Sequence, residues 1–200
     1  MISAKYKFTF IHKPKTGGNS IHVFFEKCSN ARLIKGTSNA NKGSVQYVNY
    51  NKHHTCKMRI DYMKKHKINP DDYIFLITIR NPFDLVLSWY YYKHHNKWNS
   101  NNFTKYLKTI DKAWVDYNYE DQVYNKEGVE MRIIRFENIQ KDSRKFAEEI
   151  GFKNPGVFPK WNVSKQKEVN GHYKKHYNDE QRKIVENLFS DVLEKFNYSF

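Results

Sequence analysis

Tyr6-Lys7-Phe8-Thr9-Phe10-Ile11-His12 runs directly into Lys13-Pro14-Lys15-Thr16-Gly17-Gly18-Asn19-Ser20, and then into Ile21, Phe24, Phe25 and Cys28 at helical spacing. The first seven residues are β-rich and stop at a Pro/Gly cluster, which reads as a strand delivering the chain into a loop. From Ser20 onward the apolar residues recur every three or four positions, with Asn19 or Ser20 available as the helix cap. Strand, glycine loop and helix in this order open an α/β layer.

The rest of the chain repeats that logic. Tyr73-Ile74-Phe75-Leu76-Ile77-Thr78-Ile79 is a continuous apolar run, the pattern of a strand buried on both faces of a parallel sheet. Arg80 and Asn81 end it, and Pro82 suits the first turn of a helix expected to run through Ser88 to about His94. Weaker signals place helices at 56–67, 103–110 and 120–124. Residues 131–136 read as another inner strand, and 142–150 as a helix ending at Gly151. Residues 30–52 are loop-heavy, with short strands expected at 31–35 and 45–48, and 152–177 is mostly loop. The last helix is the clearest. Asn178 and Gln181 form a capping-box pattern, followed by one apolar stripe of Ile184, Val185, Leu188, Phe189, Val192, Leu193 and Phe196. With no internal repeat and no linker, residues 1–200 are expected to form a single α/β domain, a mainly parallel sheet flanked by helices.

Composition bounds the function without choosing it. Two hundred residues with 39% hydrophobic and 16% aromatic content can bury a real core, while a mean hydropathy of −0.88 implies a very polar surface. The formal net charge of +14 suits nucleotides, nucleic acids, anionic glycans or anionic membranes as partners, and a simple bias toward Lys and Asn produces the same number. Cys28 and Cys56 make neither a disulfide scaffold nor a zinc spacing and read as reduced thiols. No secretory-type apolar stretch opens the chain and no run reaches membrane-spanning length, so a soluble, cytoplasmic protein is expected.

The chemistry concentrates in the 13–20 loop. Adjacent glycines let backbone N–H groups approach an oxyanion, and the following helix start adds partial positive charge. Lys15 supplies a full charge, Lys13 adds positive potential, and Thr16 and Ser20 offer hydroxyl donors. The alternative is a Gly-Gly turn with incidental lysines. The order is not that of a Walker A loop, whose lysine follows the second glycine; here it precedes both.

That inverted order resembles the 5′-phosphosulfate loop of sulfotransferases that use 3′-phosphoadenosine 5′-phosphosulfate (PAPS). A second stretch, Ile79-Arg80-Asn81-Pro82-Phe83-Asp84-Leu85-Val86-Leu87-Ser88-Trp89-Tyr90, is similar to the same family's 3′-phosphate motif. The resemblance is closest to the carbohydrate sulfotransferase branch. Lys52-His53-His54-Thr55 resembles its Lys-His-x-Thr segment, Ile133-Ile134-Arg135-Phe136-Glu137-Asn138-Ile139 its later strand and acidic turn, and Asn162-Val163-Ser164-Lys165 its Asn-x-Ser loop. The closing helix and aromatic tail also correspond. Asn19 departs from the family's usual Thr.

The resemblance implies a P-loop-like sulfotransferase fold and transfer of a sulfuryl group from PAPS to an acceptor hydroxyl, expected on a carbohydrate. It assigns Lys15, Thr16, Gly17, Gly18, Asn19 and Ser20 to the phosphosulfate, with Lys15 neutralising the bridging oxygen as charge develops. Arg80 and Ser88 take the 3′-phosphate, and His53, or else His54, acts as the base. Asp84 reads as a first-turn helix acid and Glu137 as a loop-ordering carboxylate, while Lys165, Lys167 and Gly171 fall where relatives close a loop over the nucleotide. No metal, nucleic acid or membrane segment enters this scheme. Two other readings remain open: a nucleotide-dependent kinase, against which the missing GK[ST] order counts, and a non-catalytic polyanion or nucleic-acid binder, which leaves Lys15, Arg80 and Ser88 without a role.

Overall fold

Side-chain alternation along three short strands decides how the core is built. The structure is a computed structural model that describes residues 1–29, 53–95, 97–153, 155–159 and 172–200. Its strands are β1 (Ile2–Ser3), β2 (Phe8–Ile11), β3 (Ile74–Ile79) and β4 (Met131–Arg135), arranged in that order in one mostly parallel sheet. β2 runs parallel to β3, from Phe8 opposite Ile74 to Ile11 opposite Ile77. β1 is the antiparallel exception, with Ile2 opposite Thr9. The described helices are α1 (Gly18–Ser29), α2 (Cys56–Lys65), α3 (Pro82–Lys93), α4 (Ser100–Leu107), α5 (Lys112–Tyr124), α6 (Ile139–Glu149), α7 (Asp179–Leu188) and α8 (Ser190–Phe196).

The chain divides into two compact units, Met1–Thr78 with Glu127–Asn162, and Ile79–Lys126 with Val163–Phe200. In the first, the period-two alternation sends Phe8, Phe10, Leu76 and Ile134 to one side, where Ile21, Phe24 and Phe25 of α1 and Phe146 and Ala147 of α6 meet them. Ile11, Phe75 and Ile77 point the other way, onto Cys56, Ile60 and Met63 of α2. The Phe8 ring stands edge-on to Phe25 at 5.3 Å and to Phe146 at 5.5 Å. The sheet is therefore covered on both faces, as its unbroken apolar strands predict. A buried Arg59 side chain donates to the carbonyl of Met1 (3.1 Å) and to Thr9 Oγ1 (2.9 Å).

The second unit is helical and aromatic. Tyr90 packs against Phe103 at 5.0 Å and Trp98 at 5.6 Å, and Tyr177 meets Phe103 edge-on at 5.1 Å. Gln181 has two tasks. It completes the capping box, accepting from Asn178 N–H (3.0 Å) and donating its own N–H to Asn178 Oδ1 (2.9 Å). Its fully buried amide also donates to the Ser100 carbonyl (3.1 Å) and to Thr104 Oγ1 (2.9 Å) on α4.

Several boundaries differ from expectation for local reasons. α5 begins at Lys112 rather than near Glu120, because Asp111 accepts the Trp114 N–H at 2.8 Å and starts the helix early. α6 begins at Ile139, directly after a short 3-10 turn, rather than at Asp142. The single closing helix is two, broken at Phe189 (φ −116°, ψ 21°). The strands expected at 31–35 and 45–48 lie outside the described residues. Among the described residues, no helix is long and apolar enough to cross a membrane.

The double engagement of Gln181 separates two costs. Asn178→Ala should lower unfolding free energy by about 1 kcal/mol, and Gln181→Ala by about 2 kcal/mol, in urea denaturation followed by circular dichroism. Equal losses would show that the α4 bonds contribute nothing.

Candidate active site

The turn between β2 and α1 is held by two residues in the left-handed region, Lys15 (φ 61°) and Gly17 (φ 78°). The Gly17 carbonyl accepts from Ser20 N–H (2.9 Å) and Ile21 N–H (3.2 Å). Gly17 therefore acts as the cap, and α1 starts at Gly18, earlier than its apolar spacing suggests. Asn19 and Ser20, expected as caps, stand instead in the first turn. The first N–H groups of a helix lack intrahelical acceptors, and those of Gly18 and Asn19 stand at this position in α1.

Neither glycine tolerates a side chain here. A Cβ on Gly18 would lie 2.2 Å from Cδ2 and Nε2 of His12, and one on Gly17 would lie 2.5 Å from Cδ1 of Ile139. Gly18 thus admits the buried His12 ring, and Gly17 the side chains of Ile139 and Phe136.

Thr16 has a different task from the one expected. Its buried hydroxyl donates to the Lys13 carbonyl (2.6 Å) and pairs with Thr78 Oγ1 at the end of β3. The single hydroxyl proton is committed to closing the loop, so only the Thr16 backbone remains to meet an anion. Ser20 is buried in the first turn of α1, and the side chain of Lys15 is half-buried. Lys13 is almost wholly buried, at 3% exposure, rather than displayed at the loop's surface.

His53 stands beside this loop. Its Nδ1 is 3.2 Å from the His12 carbonyl, and its ring meets the His12 ring edge-on at 4.7 Å. His12 in turn stacks on Phe10 at 5.8 Å and contacts His22 at 5.2 Å. The structure therefore brings together the 13–20 loop and the first candidate base, with His12 between them. His54 is the more buried of the two neighbours; burial, with the Arg59 charge and the N-terminal charge adding to it, lowers its pKa from the ordinary value. Among the described residues, no group of three or more His, Cys, Asp or Glu side chains is arranged to hold a metal ion.

In the helical unit, Arg80 follows β3 and is nearly fully buried. Its Nε donates to Asp84 Oδ2 at 2.8 Å, an (i, i+4) ion pair in which both side chains are buried. Asp84 is a first-turn acid of α3, as expected, and it is also the carboxylate that aims the guanidinium. Ser88 lies one further turn along α3, on the same face as Asp84, and is half-buried. Tyr119 donates its hydroxyl to the Arg80 carbonyl at 2.7 Å, and Asn81 caps α3 by accepting from Phe83 N–H at 3.0 Å.

Comparison of the chain with family models, with curated proteins and with solved structures gives no match. The geometry therefore stands on its own residues. Glu137 is exposed in the 3-10 turn Phe136–Asn138. Lys52, the 162–165 string, Lys167 and Gly171 lie outside the described residues. Two contributors were not singled out from sequence. His12 sits immediately before Lys13, and its only signal was that adjacency. Asp84 as the partner of Arg80 was signalled by its four-residue spacing on a helix.

Two outcomes follow from this geometry. Gly18→Ala should lower unfolding free energy by about 1–3 kcal/mol, since the His12 ring it meets is buried; urea unfolding measures this, and an unchanged midpoint would contradict the close approach. A histidine whose folded pKa lies below its unfolded value near 6.5 makes the unfolded chain bind more protons in between. Its stabilising effect is present above the unfolded pKa and is lost as pH falls toward the folded one. The thermal midpoint should therefore fall on acidification below that value, and less steeply in His54→Gln than in the parent protein.

Proposed function

We propose that the chain is a PAPS-dependent O-sulfotransferase acting on a carbohydrate hydroxyl. The observation that carries this reading is the 13–20 loop itself. A lysine that precedes both glycines is held in a left-handed turn at the end of an inner strand, with helix-start N–H groups after it and a histidine alongside. The residues present suit a sulfated nucleotide: a full positive charge at Lys15, backbone donors from Thr16 to Ser20, and no carboxylate within the loop.

On this reading the acceptor oxygen attacks sulfur as its proton passes to His53. The bond from sulfur to the oxygen bridging it to the 5′-phosphate breaks, and its electron pair leaves with adenosine 3′,5′-bisphosphate. Lys15 offsets the charge that develops on that bridging oxygen. The histidine then returns its proton to solvent. Arg80 and Ser88 are assigned the 3′-phosphate. The net charge of +14 favours an acidic glycan as acceptor.

The buried Arg80–Asp84 pair shapes the test. Arg80→Ala would strand a buried carboxylate, at a cost of about 3–5 kcal/mol, and confuse unfolding with lost binding. Arg80→Lys keeps a charge for Asp84 and removes the forked donors. Calorimetry should show adenosine 3′,5′-bisphosphate binding to wild type, with affinity reduced about tenfold or more in Arg80→Lys and less in Ser88→Ala. Lys15→Ala should retain that binding in part and lose transfer of labelled sulfate from PAPS to a glycan panel. No binding by wild type, or equal binding by Arg80→Lys, would sink the assignment.

A further inference from the structure

The break in the closing helix lies beside a cleft. Residues 187–192, where α7 gives way to α8 at Phe189, stand across from α5 around a cavity of about 190 Å³. Its floor is apolar, with Val115, Val123, Phe189 and Val192 all buried. Its rim is polar, with Lys112, Asp116, Glu120 and Tyr124 on α5, and Asn187 and Asp191 on the other wall. The space falls short of the ~300 Å³ at which pockets for drug-sized ligands begin, so it suits one small ring and not an extended chain.

The charges on this rim are already matched. Lys112 Nζ donates to Asp116 at 2.6 Å, Lys126 donates to Glu120, and the Tyr124 hydroxyl donates to Asp191 Oδ2 at 2.6 Å. The Tyr124 bond holds the Asp191 carboxyl below its ordinary pKa. Asp116, Glu120 and Asp191 are not arranged to hold a metal ion. A charged ligand would have to break one of these pairs, whereas a neutral one meets them intact. A carboxylate that accepts one hydrogen bond keeps further lone pairs, and an ammonium that donates one keeps further N–H groups. The exposed Asn187 amide, four residues before Asp191, adds a donor and an acceptor together. Mixed donors and acceptors over an apolar floor match a pyranose, whose hydroxyls both donate and accept and whose C–H face is apolar.

We propose that this cleft binds a single neutral sugar ring. The inference deepens the sulfotransferase reading and rests on it for the expectation that the partner is a glycan. Asn187 and Asp191 meet neighbouring hydroxyls, Lys112 meets a further one, and the C–H face lies on Val115 and Phe189. A contact with one ring is weak by itself, and it strengthens through effective concentration when the same glycan is held at a second place on the protein.

The test is a titration of nitrogen-15-labelled protein with methyl β-galactoside, methyl β-glucoside and methyl N-acetyl-β-glucosaminide at millimolar concentrations. At least one should produce saturable amide shifts confined to residues 112–124 and 187–192. Asn187→Ala, at an exposed position where folding is undisturbed, should weaken that binding about three- to tenfold. No saturable shift with any of the three glycosides overturns the proposal, as does equal binding by Asn187→Ala. Shifts of the same size with glycerol mark binding of any polyol and also overturn it. Adenosine 3′,5′-bisphosphate is titrated separately. Cleft shifts without bisphosphate binding would remove the sulfotransferase reading and keep the sugar site, and bisphosphate binding without cleft shifts would do the reverse.

Discussion

The parallel pairing of β2 with β3 is the constraint from which the candidate site takes its shape. Four residues of β2 lie opposite Ile74–Ile77, and that register brings the loop after Ile11 to the same sheet edge as Thr78. Thr78, one position beyond the partner of Ile11, is thereby within reach of the Thr16 hydroxyl. With Thr16 anchored, the Lys13 carbonyl is bound from below and the chain must turn within a few residues. Both faces of the sheet are covered by apolar side chains, so a slip in register would turn Phe8 and Phe10 away from α1 and α6.

Positive charge is handled in three ways in this chain. Arg59 is buried as a structural donor between the Met1 carbonyl and Thr9, while Arg80 is buried with a carboxylate at its Nε. Lys15 alone among these is half-exposed, within the loop. A buried guanidinium with an aimed partner is stiff, and a half-exposed lysine adjusts.

Much of this was legible in the sequence wherever the signal was local and strong. The apolar runs at β3 and β4, the proline at the start of α3 and the Asn178/Gln181 box each rest on chemistry within a few residues. β1 was not legible, because two residues give no period and depend on the turn with Lys7 at φ 51°. The early start of α5 was hidden because its apolar residues form no stripe, and Asp111 alone marks it. At the site, residue types pointed to the loop, yet the inward turn of the Thr16 hydroxyl depends on Thr78, 62 positions away. The role of His12 was invisible for the same reason: His53 and Gly18 meet it only through the fold.

Lys15 holds a backbone conformation that disfavours any residue with a Cβ, by about 1–2 kcal/mol. Such a turn persists only where its neighbours over-determine it, and here Thr16 and the contacts around Gly17 do so. The loop therefore behaves like a latch set during folding. Its backbone N–H groups are set in place by the fold itself, so the cost of ordering them falls on the folding reaction.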